Sequence, residues 1–231
     1  MRKLSRRQKE TRKKVDKQIY SNLEEAIKLL KETSTAKFTE TVELHANLNI
    51  DPKYADQQLR TTVTLPNGVG KTVRIAVLTS KTNFDEAIIN GADIVGNEDL
   101  IQDISQGNLD FDLLITTPEL MPKLAKLGRV LGPKGLMPSP KSGTVTTYLS
   151  STLTDFKNGK FEYKADKTGV VHVSFGKSDF TETQLLENLI VLQDSIQQNR
   201  PSGVKGKYLK KIFICSSMGP SIQLELDAFA E

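Results

Sequence analysis

Residues 41–48 read Thr-Val-Glu-Leu-His-Ala-Asn-Leu, and polar and apolar side chains alternate along the whole stretch. A period of two predicts a β-strand that buries one face and exposes the other. The predicted buried positions are Val42, Leu44, Ala46 and Leu48. Such a strand needs sheet neighbours and a layer that covers its apolar face.

The segments on either side of this strand predict further elements. Ser21-Asn22-Leu23-Glu24 has the pattern of a capping box, and apolar residues at helical spacing follow it. Residues 60–65 form a weaker strand pattern, which Pro66-Asn67-Gly68 breaks. We therefore predict a short amphipathic helix, two strands and then a boundary.

Alternation returns after Lys160. Residues 161–165 and 171–175 alternate on either side of Asp166-Lys167-Thr168-Gly169, which predicts a β-hairpin. A second capping box, Thr181-Glu182-Thr183-Gln184, opens a helix that Pro201 would stop. The last predicted elements are strands over residues 211–216 and 222–226, joined by Ser217-Met218-Gly219-Pro220-Ser221.

The middle of the chain has a different pattern. Residues 73–78 and 111–116 are continuous apolar-rich runs, which are typical of buried parallel strands. Helical stretches separate and follow them, over residues 84–90, over residues 98–106 and from Thr117-Pro118-Glu119. Residues 132–140, rich in glycine and proline, predict a long rigid loop.

Together these patterns predict an α+β domain formed by both chain ends, with an inserted α/β (Rossmann-like) second domain. The first domain would comprise residues 1–66 plus 159–231, and the inserted domain residues 67–158. The inserted region is near neutral, with nine basic and ten acidic residues. Its basic residues are concentrated between Lys123 and Lys141, where five occur without an acid.

The net charge of +4 is very unevenly distributed. Residues 1–18 hold nine Lys or Arg against Glu10 and Asp16. A solvated helix face would normally mix both signs, so we favour a polyanionic partner, namely nucleic acid. We expect a soluble protein, because no apolar run approaches the length that crosses a membrane and the first residues have no secretory signal pattern.

Enzymatic chemistry is poorly supplied. Gly68-Val69-Gly70-Lys71-Thr72 is similar to the end of a phosphate-binding loop, but it precedes a predicted strand instead of following one. Cys215 is the only cysteine, and His45 and His172 are the only histidines. Each histidine lies on an alternating strand face with no nearby cysteine or paired carboxylate to activate it, so we predict no catalytic residue, no metal site and no cofactor.

What remains are three loops suited to RNA, which we interpret as small polar or glycine-containing turns with flanking lysines and an aromatic or methionine residue nearby. They are Lys37-Phe38-Thr39-Glu40-Thr41, residues 164–169 and Ser217-Met218-Gly219-Pro220. A glycine between two strands either holds a positive φ or admits a closely approaching RNA backbone. We therefore predict that Gly219→Val weakens RNA binding and spares the fold.

Five ordered motifs in the chain resemble the bacterial-type ribosomal protein L-one family, almost from end to end. They are Lys37-Phe38-Thr39-Glu40-Thr41-Val42-Glu43-Leu44, Leu65-Pro66-Asn67-Gly68-Val69-Gly70-Lys71, the run from Gly128-Arg129-Val130-Leu131 through Gly132-Pro133-Lys134-Gly135-Leu136-Met137-Pro138, Lys167-Thr168-Gly169 and Ser217-Met218-Gly219-Pro220-Ser221-Ile222. The chain departs from the family at Ser217, where threonine is common.

The resemblance implies a component of the large ribosomal subunit whose split first domain clamps the rRNA of the mobile stalk beside the E-site. It further implies help in the release of deacylated tRNA and, in bacteria, repression of the protein's own mRNA. The expected partners are therefore large-subunit rRNA, E-site tRNA and the protein's own mRNA, with no membrane and no small-molecule substrate. The residues that we expect to bind RNA are Lys37, Phe38, Thr41, Lys164, Lys167, Thr168, Gly169, Ser217, Met218, Gly219 and Pro220, with Lys134 and Lys141 as a second contact.

Two other functions stay open at this stage: a nucleotide-binding enzyme built on the α/β middle, and a regulator that binds only mRNA. The expected location is the ribosome of a bacterial cytoplasm or of a plastid stroma. The frequent Lys, Asn, Ile and Thr fit an AT-rich genome of either kind.

Overall fold

The computed structural model describes residues 5–15, 18–204 and 206–226. In chain order the elements are α1 (Arg6–Lys14), β1 (Ile19–Tyr20), α2 (Leu23–Thr33), β2 (Thr41–Leu48), β3 (Arg60–Thr64), β4 (Ile75–Leu78), α3 (Phe84–Ile89), β5 (Ile94–Gly96), α4 (Glu98–Gln106), β6 (Leu113–Thr116), α5 (Met121–Ala125), α6 (Gly128–Lys134), α7 (Leu149–Lys157), β7 (Lys160–Lys164), β8 (Val170–Lys177), α8 (Glu182–Gln198), β9 (Leu209–Ser216) and β10 (Ile222–Leu224). Among the residues described, no helix combines the length and the apolar character needed to span a membrane.

The chain divides into two compact units: an end unit, residues 1–70 with 163–231, and a middle unit, residues 71–162. These divisions fall after Gly70 and Glu162, whereas the sequence predicts breaks after residues 66 and 158. The first lies later because Asn188 of α8 holds the segment that follows Pro66: its Oδ1 accepts from the Asn67 N–H at 3.1 Å and its Nδ2 donates to the Gly68 carbonyl at 3.0 Å. The second lies within β7, which pairs with β3.

The end unit is built on a five-stranded sheet in the order β1-β10-β9-β2-β8. The predicted alternation of β2 is confirmed, because Val42, Leu44, Ala46 and Leu48 are all at most 1% exposed. β2 runs antiparallel to both β8 and β9, and α2 and α8 pack on the sheet. The polar face of β2 therefore lies on the opposite side from its buried core.

The two predicted capping boxes have different outcomes. That of α8 is confirmed: Thr181 Oγ1 accepts from the Gln184 N–H at 3.3 Å and Gln184 Oε1 accepts from the Thr181 N–H at 3.0 Å. That of α2 is wrong, because the N-cap is Asn22, whose Oδ1 accepts from the Glu24 N–H at 2.9 Å. Asparagine and serine cap helices about equally well, so the sequence alone does not determine whether Ser21 or Asn22 is the N-cap of α2.

The middle unit contains a three-stranded parallel sheet in the order β5-β4-β6. The two buried parallel strands predicted from the apolar runs are confirmed as β4 and β6, and every residue of β4 is buried. The sequence missed β5, a strand of three residues between two helices. α3 and α7 pack together, and Leu100 and Ile104 of α4 contribute to the core around the sheet.

Two local predictions are wrong. β7 and β8 do not form a hairpin ladder, since β7 pairs with β3, β8 pairs with β2, and a single bridge between Ala165 and Val171 joins them. The alternating buried side chains of β8 pack into the five-stranded sheet, whereas β7 buries only Tyr163. The loop predicted over residues 132–140 begins too early, because residues 132–134 belong to α6. Leu131 anchors this helix in the middle-unit core, and Pro133 falls in its last turn, just before Gly135 at φ +73°.

Candidate nucleic-acid interface

The three loops predicted to bind RNA lie at two different ends of β2. Residues 37–41 lead into the first residue of β2, and Ser216, the last residue of β9, pairs with Val42. The turn of residues 166–169 precedes Val170, which pairs with Asn47 at the far end of the same strand. At 3.4 Å per residue, six steps along β2 separate the two ends by about 20 Å. We call them the Thr41 end and the Leu48 end.

Glu40 joins the two loops at the Thr41 end. Its side chain is buried, at 1% exposure, and its carboxylate accepts hydrogen bonds from the Ala36 N–H (3.0 Å), the Ser216 hydroxyl (2.7 Å) and the Met218 N–H (2.9 Å). Burial alone would raise the pKa of Glu40, but these three hydrogen bonds and the charge of Arg7 outweigh burial and leave the pKa below its ordinary value. Glu40 is therefore a buried anion that connects the 36–41 segment to the 216–218 segment, a role that the sequence did not indicate.

Thr41 and Ser217 add a second connection at this end. The Ser217 N–H donates to the Thr41 carbonyl at 3.0 Å, and the Thr41 N–H donates to the Ser217 hydroxyl at 3.1 Å. Lys177 Nζ donates to Thr41 Oγ1 at 2.8 Å. Both predicted RNA-binding hydroxyls thus have protein partners, and serine in place of threonine at position 217 retains this connection.

The apolar residues of these loops lie on the surface. Phe38 is 57% exposed, although it precedes the buried Glu40, and Met218 is 48% exposed, although it follows the buried Ser216. Lys37 and Ser217 are also exposed, and Pro220 is half-buried. Since Glu40 binds the backbone of Met218 and lies two residues from Phe38, the Thr41 end presents two apolar side chains that are not needed for the core.

The surroundings of Gly219 differ from those that the sequence predicts. Gly219 does not have a positive φ, and a Cβ atom added to it would collide with the Ser216 hydroxyl that donates to Glu40. This contact argues against the expectation that Gly219→Val spares the fold. A valine here displaces Ser216 and disturbs the hydrogen bonds of the buried carboxylate.

Asp166 organises the turn at the Leu48 end. Its carboxylate accepts from the Thr168 N–H (2.8 Å), the Thr168 hydroxyl (2.7 Å) and the Val170 N–H (2.8 Å). Hydrogen bonds from Val170 and Thr168 lower the pKa of Asp166 to about 2. Gly169 has φ +80°, and a Cβ there would lie 3.0 Å from the Ile50 carbonyl oxygen, so it shapes the turn.

The two lysines at the Leu48 end take no part in the hydrogen bonds described above for this turn. Lys164 and Lys167 are exposed on either side of Asp166. Thr168 is exposed as well, but its hydroxyl donates to Asp166. The lysines are thus the predicted residues of this turn that are best placed to meet a phosphate.

The sheet face between the two ends carries polar side chains that the sequence did not bring together. His45 Nε2 lies 3.1 Å from Cys215 Sγ and 3.6 Å from Glu43 Oε2, and His45 Nδ1 lies 2.8 Å from His172 Nδ1. The expectation that no cysteine or paired carboxylate lies near either histidine is therefore wrong for His45. The strand register explains this, because Glu43 pairs with Cys215 and His45 pairs with His172 across the sheet.

The basic N-terminal segment forms α1, beside this face. A cavity lined by Gln8, Thr11 and Arg12 of α1 is also lined by His45, Cys215 and Met218. The basic residues of the helix are Arg6, Arg7, Lys9, Arg12, Lys13 and Lys14. The other predicted basic residues of the segment, Arg2, Lys3 and Lys17, lie outside the described residues.

The predicted second contact lies in the middle unit. Lys134 is the last residue of α6, Lys141 lies in a short 3₁₀ turn over Pro140–Ser142, and both are exposed. Lys71, the lysine of the glycine-rich run, forms an ion pair with Asp112 at 2.6 Å. The run leads into β4 and opens no helix, which argues against a phosphate-binding loop.

Comparison with known sequences decides the family. Residues 30–220 match the ribosomal protein L1p/L10e family. The chain belongs to this family. L1-family members are structural ribosomal proteins, so the prediction that the protein is not an enzyme is confirmed.

L1-family relatives align with the chain over nearly its whole length. The large ribosomal subunit protein uL1c of Trieres chinensis is 75% identical, and the alignment covers 99% of this chain and 100% of the relative. The uL1c protein of Phaeodactylum tricornutum is 70% identical, with both chains fully covered. The uL1 protein of Prochlorococcus marinus (strain CCMP1986 / NIES-2087 / MED4) is 55% identical, with 100% and 98% covered. The ribosome concerned is therefore that of a plastid or a bacterium.

Proposed function

We propose that this L1-family protein binds the rRNA of the mobile stalk of the large subunit, near the E-site, and assists the release of deacylated tRNA. The observation that carries the proposal is the Glu40 carboxylate, which joins two separate loops and leaves Phe38 and Met218 exposed beside Lys37. A binding surface needs contact residues that hydrogen bonds behind them hold in place, and Glu40 provides such support for these two loops. Exposed apolar side chains next to lysine suit the riboses, bases and phosphates of folded RNA.

The rest of the RNA surface would lie along the end unit. Lys164 and Lys167 would neutralise phosphates at the Leu48 end, and the basic helix α1 would do so beside the Thr41 end. Contacts about 20 Å apart fit a structured RNA better than a short single strand. An mRNA segment that copies the rRNA fold would meet the same residues, so we extend the proposal to repression of the protein's own mRNA.

We propose that the two units are the two domains of the protein and that the middle unit is an inserted α/β domain of Rossmann-like design. Its parallel sheet and its continuous path from residue 71 to 162 support this. The exposed Lys134 and Lys141 would form the second contact, with rRNA or with the departing tRNA. The identities of 75% and 70% to uL1c proteins, against 55% to a bacterial relative, favour a plastid ribosome.

A titration of the full chain with a stalk rRNA fragment tests the proposal. We expect specific binding whose affinity falls as salt rises, with a log–log slope of about −0.7 to −0.9 per phosphate neutralised. An unrelated RNA hairpin of the same length is the control and should bind more weakly at every salt concentration. Equal affinity for both RNAs, or an affinity that does not change with salt, would contradict the proposal.

A further inference from the structure

The cluster of Glu43, His45 and Cys215, on the polar face of β2 and its neighbour β9, plays no part in the function proposed above. One ligand atom from each residue can be chosen so that all three lie within 4.8 Å of one another. Glu43 and His45 lie on β2, two residues apart on the same face, and Cys215 is the cross-strand partner of Glu43 on β9. The sheet thus sets the positions of these donor atoms, without the need to order a loop.

The hydrogen bonds around His45 favour one tautomer. Its Nδ1 lies 2.8 Å from His172 Nδ1, so one of these two nitrogens donates and the other accepts. His172 Nε2 faces the Asp166 carboxylate at 3.7 Å, which favours the proton of His172 on Nε2. His172 Nδ1 then accepts from His45 Nδ1–H, and the lone pair of His45 Nε2 faces Cys215 and Glu43.

This arrangement is the one that metal-binding histidines use. A histidine that ligates through one nitrogen almost always donates its other N–H to a second group, which fixes the ring and its tautomer. Here His172 is that group, and Asp166 in turn faces His172. The chain from Asp166 through His172 to His45 therefore points a nitrogen lone pair toward a thiol and a carboxylate.

We propose that Glu43, His45 and Cys215 form a binding site for a zinc-like divalent transition metal. Tetrahedral zinc, with its usual bond lengths, separates a nitrogen and a sulfur ligand by about 3.5 Å and a nitrogen and an oxygen ligand by about 3.3 Å. The corresponding distances here are 3.1 Å and 3.6 Å, both close to these values, and the Cys215 and Glu43 donors lie within 4.8 Å of each other. The fourth position would be taken by water.

The donor types select the metal. A thiolate with an imidazole favours zinc and its neighbours over magnesium or calcium, which prefer oxygen ligands. As the metal–sulfur bond forms, the Cys215 proton leaves for solvent. Arg12 lines the cavity next to His45 and Cys215 and repels a cation, but the Glu43 carboxylate and the Cys215 thiolate carry two opposing charges.

Cobalt(II), a spectroscopic substitute for zinc, tests this site in the full chain after treatment with a chelator. We expect one equivalent to bind with a thiolate-to-cobalt charge-transfer band. Cys215→Ser should lose the band, and His45→Gln and Glu43→Gln should weaken binding by about tenfold or more. The exposed Glu25 supplies the matched carboxylate control, since Glu25→Gln should leave binding unchanged.

His172 is a positioning residue in this scheme, and its variant has a separate readout. His172→Phe keeps a ring beside His45 but removes the acceptor, so we expect roughly 10- to 100-fold weaker binding with the charge-transfer band still present. Zinc should also raise the melting temperature of the unmodified chain, because it binds the folded state only. No rise in melting temperature, wild-type cobalt affinity in Cys215→Ser, or wild-type cobalt affinity in His45→Gln would each overturn the proposal.

Discussion

Glu40 shows how a single buried carboxylate can hold together two surface loops that are far apart in the sequence. Its three hydrogen bonds come from residues before it in sequence and from residues about 180 positions later. A local reading of Thr39-Glu40-Thr41 suggests only a polar, exposed loop. The sequence could therefore predict the loops but not the residue that holds them together.

We expect Glu40→Ala to lower the free energy of unfolding by about 2 kcal/mol or more, because it leaves the N–H groups of Ala36 and Met218 without their acceptor. The rRNA affinity should fall with it, since the two loops lose their connection. Urea unfolding measures the first effect and the rRNA titration the second. Glu32, exposed on α2, is the control, and Glu32→Ala should change stability by less than about 0.5 kcal/mol. Wild-type stability in Glu40→Ala would show that the carboxylate is not a structural anion.

Periodic patterns in the sequence predicted where the strands lie but not which strands pair with one another. The alternation in β2 and β8 identified the buried faces, because burial against the helices follows directly from side-chain direction. The hairpin between β7 and β8 was wrong because pairing depends on which sheet buries each strand, and no local turn determines that. The helix α6 was missed because the burial of Leu131 outweighs the cost of Pro133 near a helix end.

Variants at the two ends of β2 test whether both ends contribute to RNA binding. Phe38→Asp at the Thr41 end and Lys167→Glu at the Leu48 end should each weaken rRNA binding. Because the sites lie about 20 Å apart and share no partner, their free-energy costs should add within about 0.5 kcal/mol. Lys28→Glu, an exposed charge reversal on α2, is the control and should have a smaller effect. If the double variant binds rRNA as tightly as the weaker-binding single variant, the two ends do not act as independent contacts.

The two units differ in charge. The middle unit, residues 71–162, has 10 basic and 11 acidic residues, whereas the rest of the chain has 22 basic and 17 acidic residues. The order of motifs along the sequence was enough to predict the family, since family motifs are read residue by residue. The exact boundaries between the two units could not be predicted in this way, because side-chain contacts such as those of Asn188 determine them.

We expect a chain in which a short glycine linker joins Gly70 to Tyr163 to fold and to keep its rRNA affinity within about tenfold of the full chain. The reason is that the end unit holds the proposed primary contacts and most of the net positive charge. Thermal unfolding checks the fold, and the rRNA titration checks the affinity. A folded variant that loses more than roughly 3 kcal/mol of binding free energy would make the middle unit a primary contact.

The most direct test of the central claim, that the Thr41 end binds rRNA, is the affinity of Met218→Asp for the stalk rRNA fragment, with its melting temperature measured in parallel. Met218 is 48% exposed and its backbone, not its side chain, binds Glu40. The variant should therefore lose at least about tenfold in affinity through charge repulsion while its melting temperature stays nearly unchanged. Wild-type affinity in a folded Met218→Asp would contradict the claim.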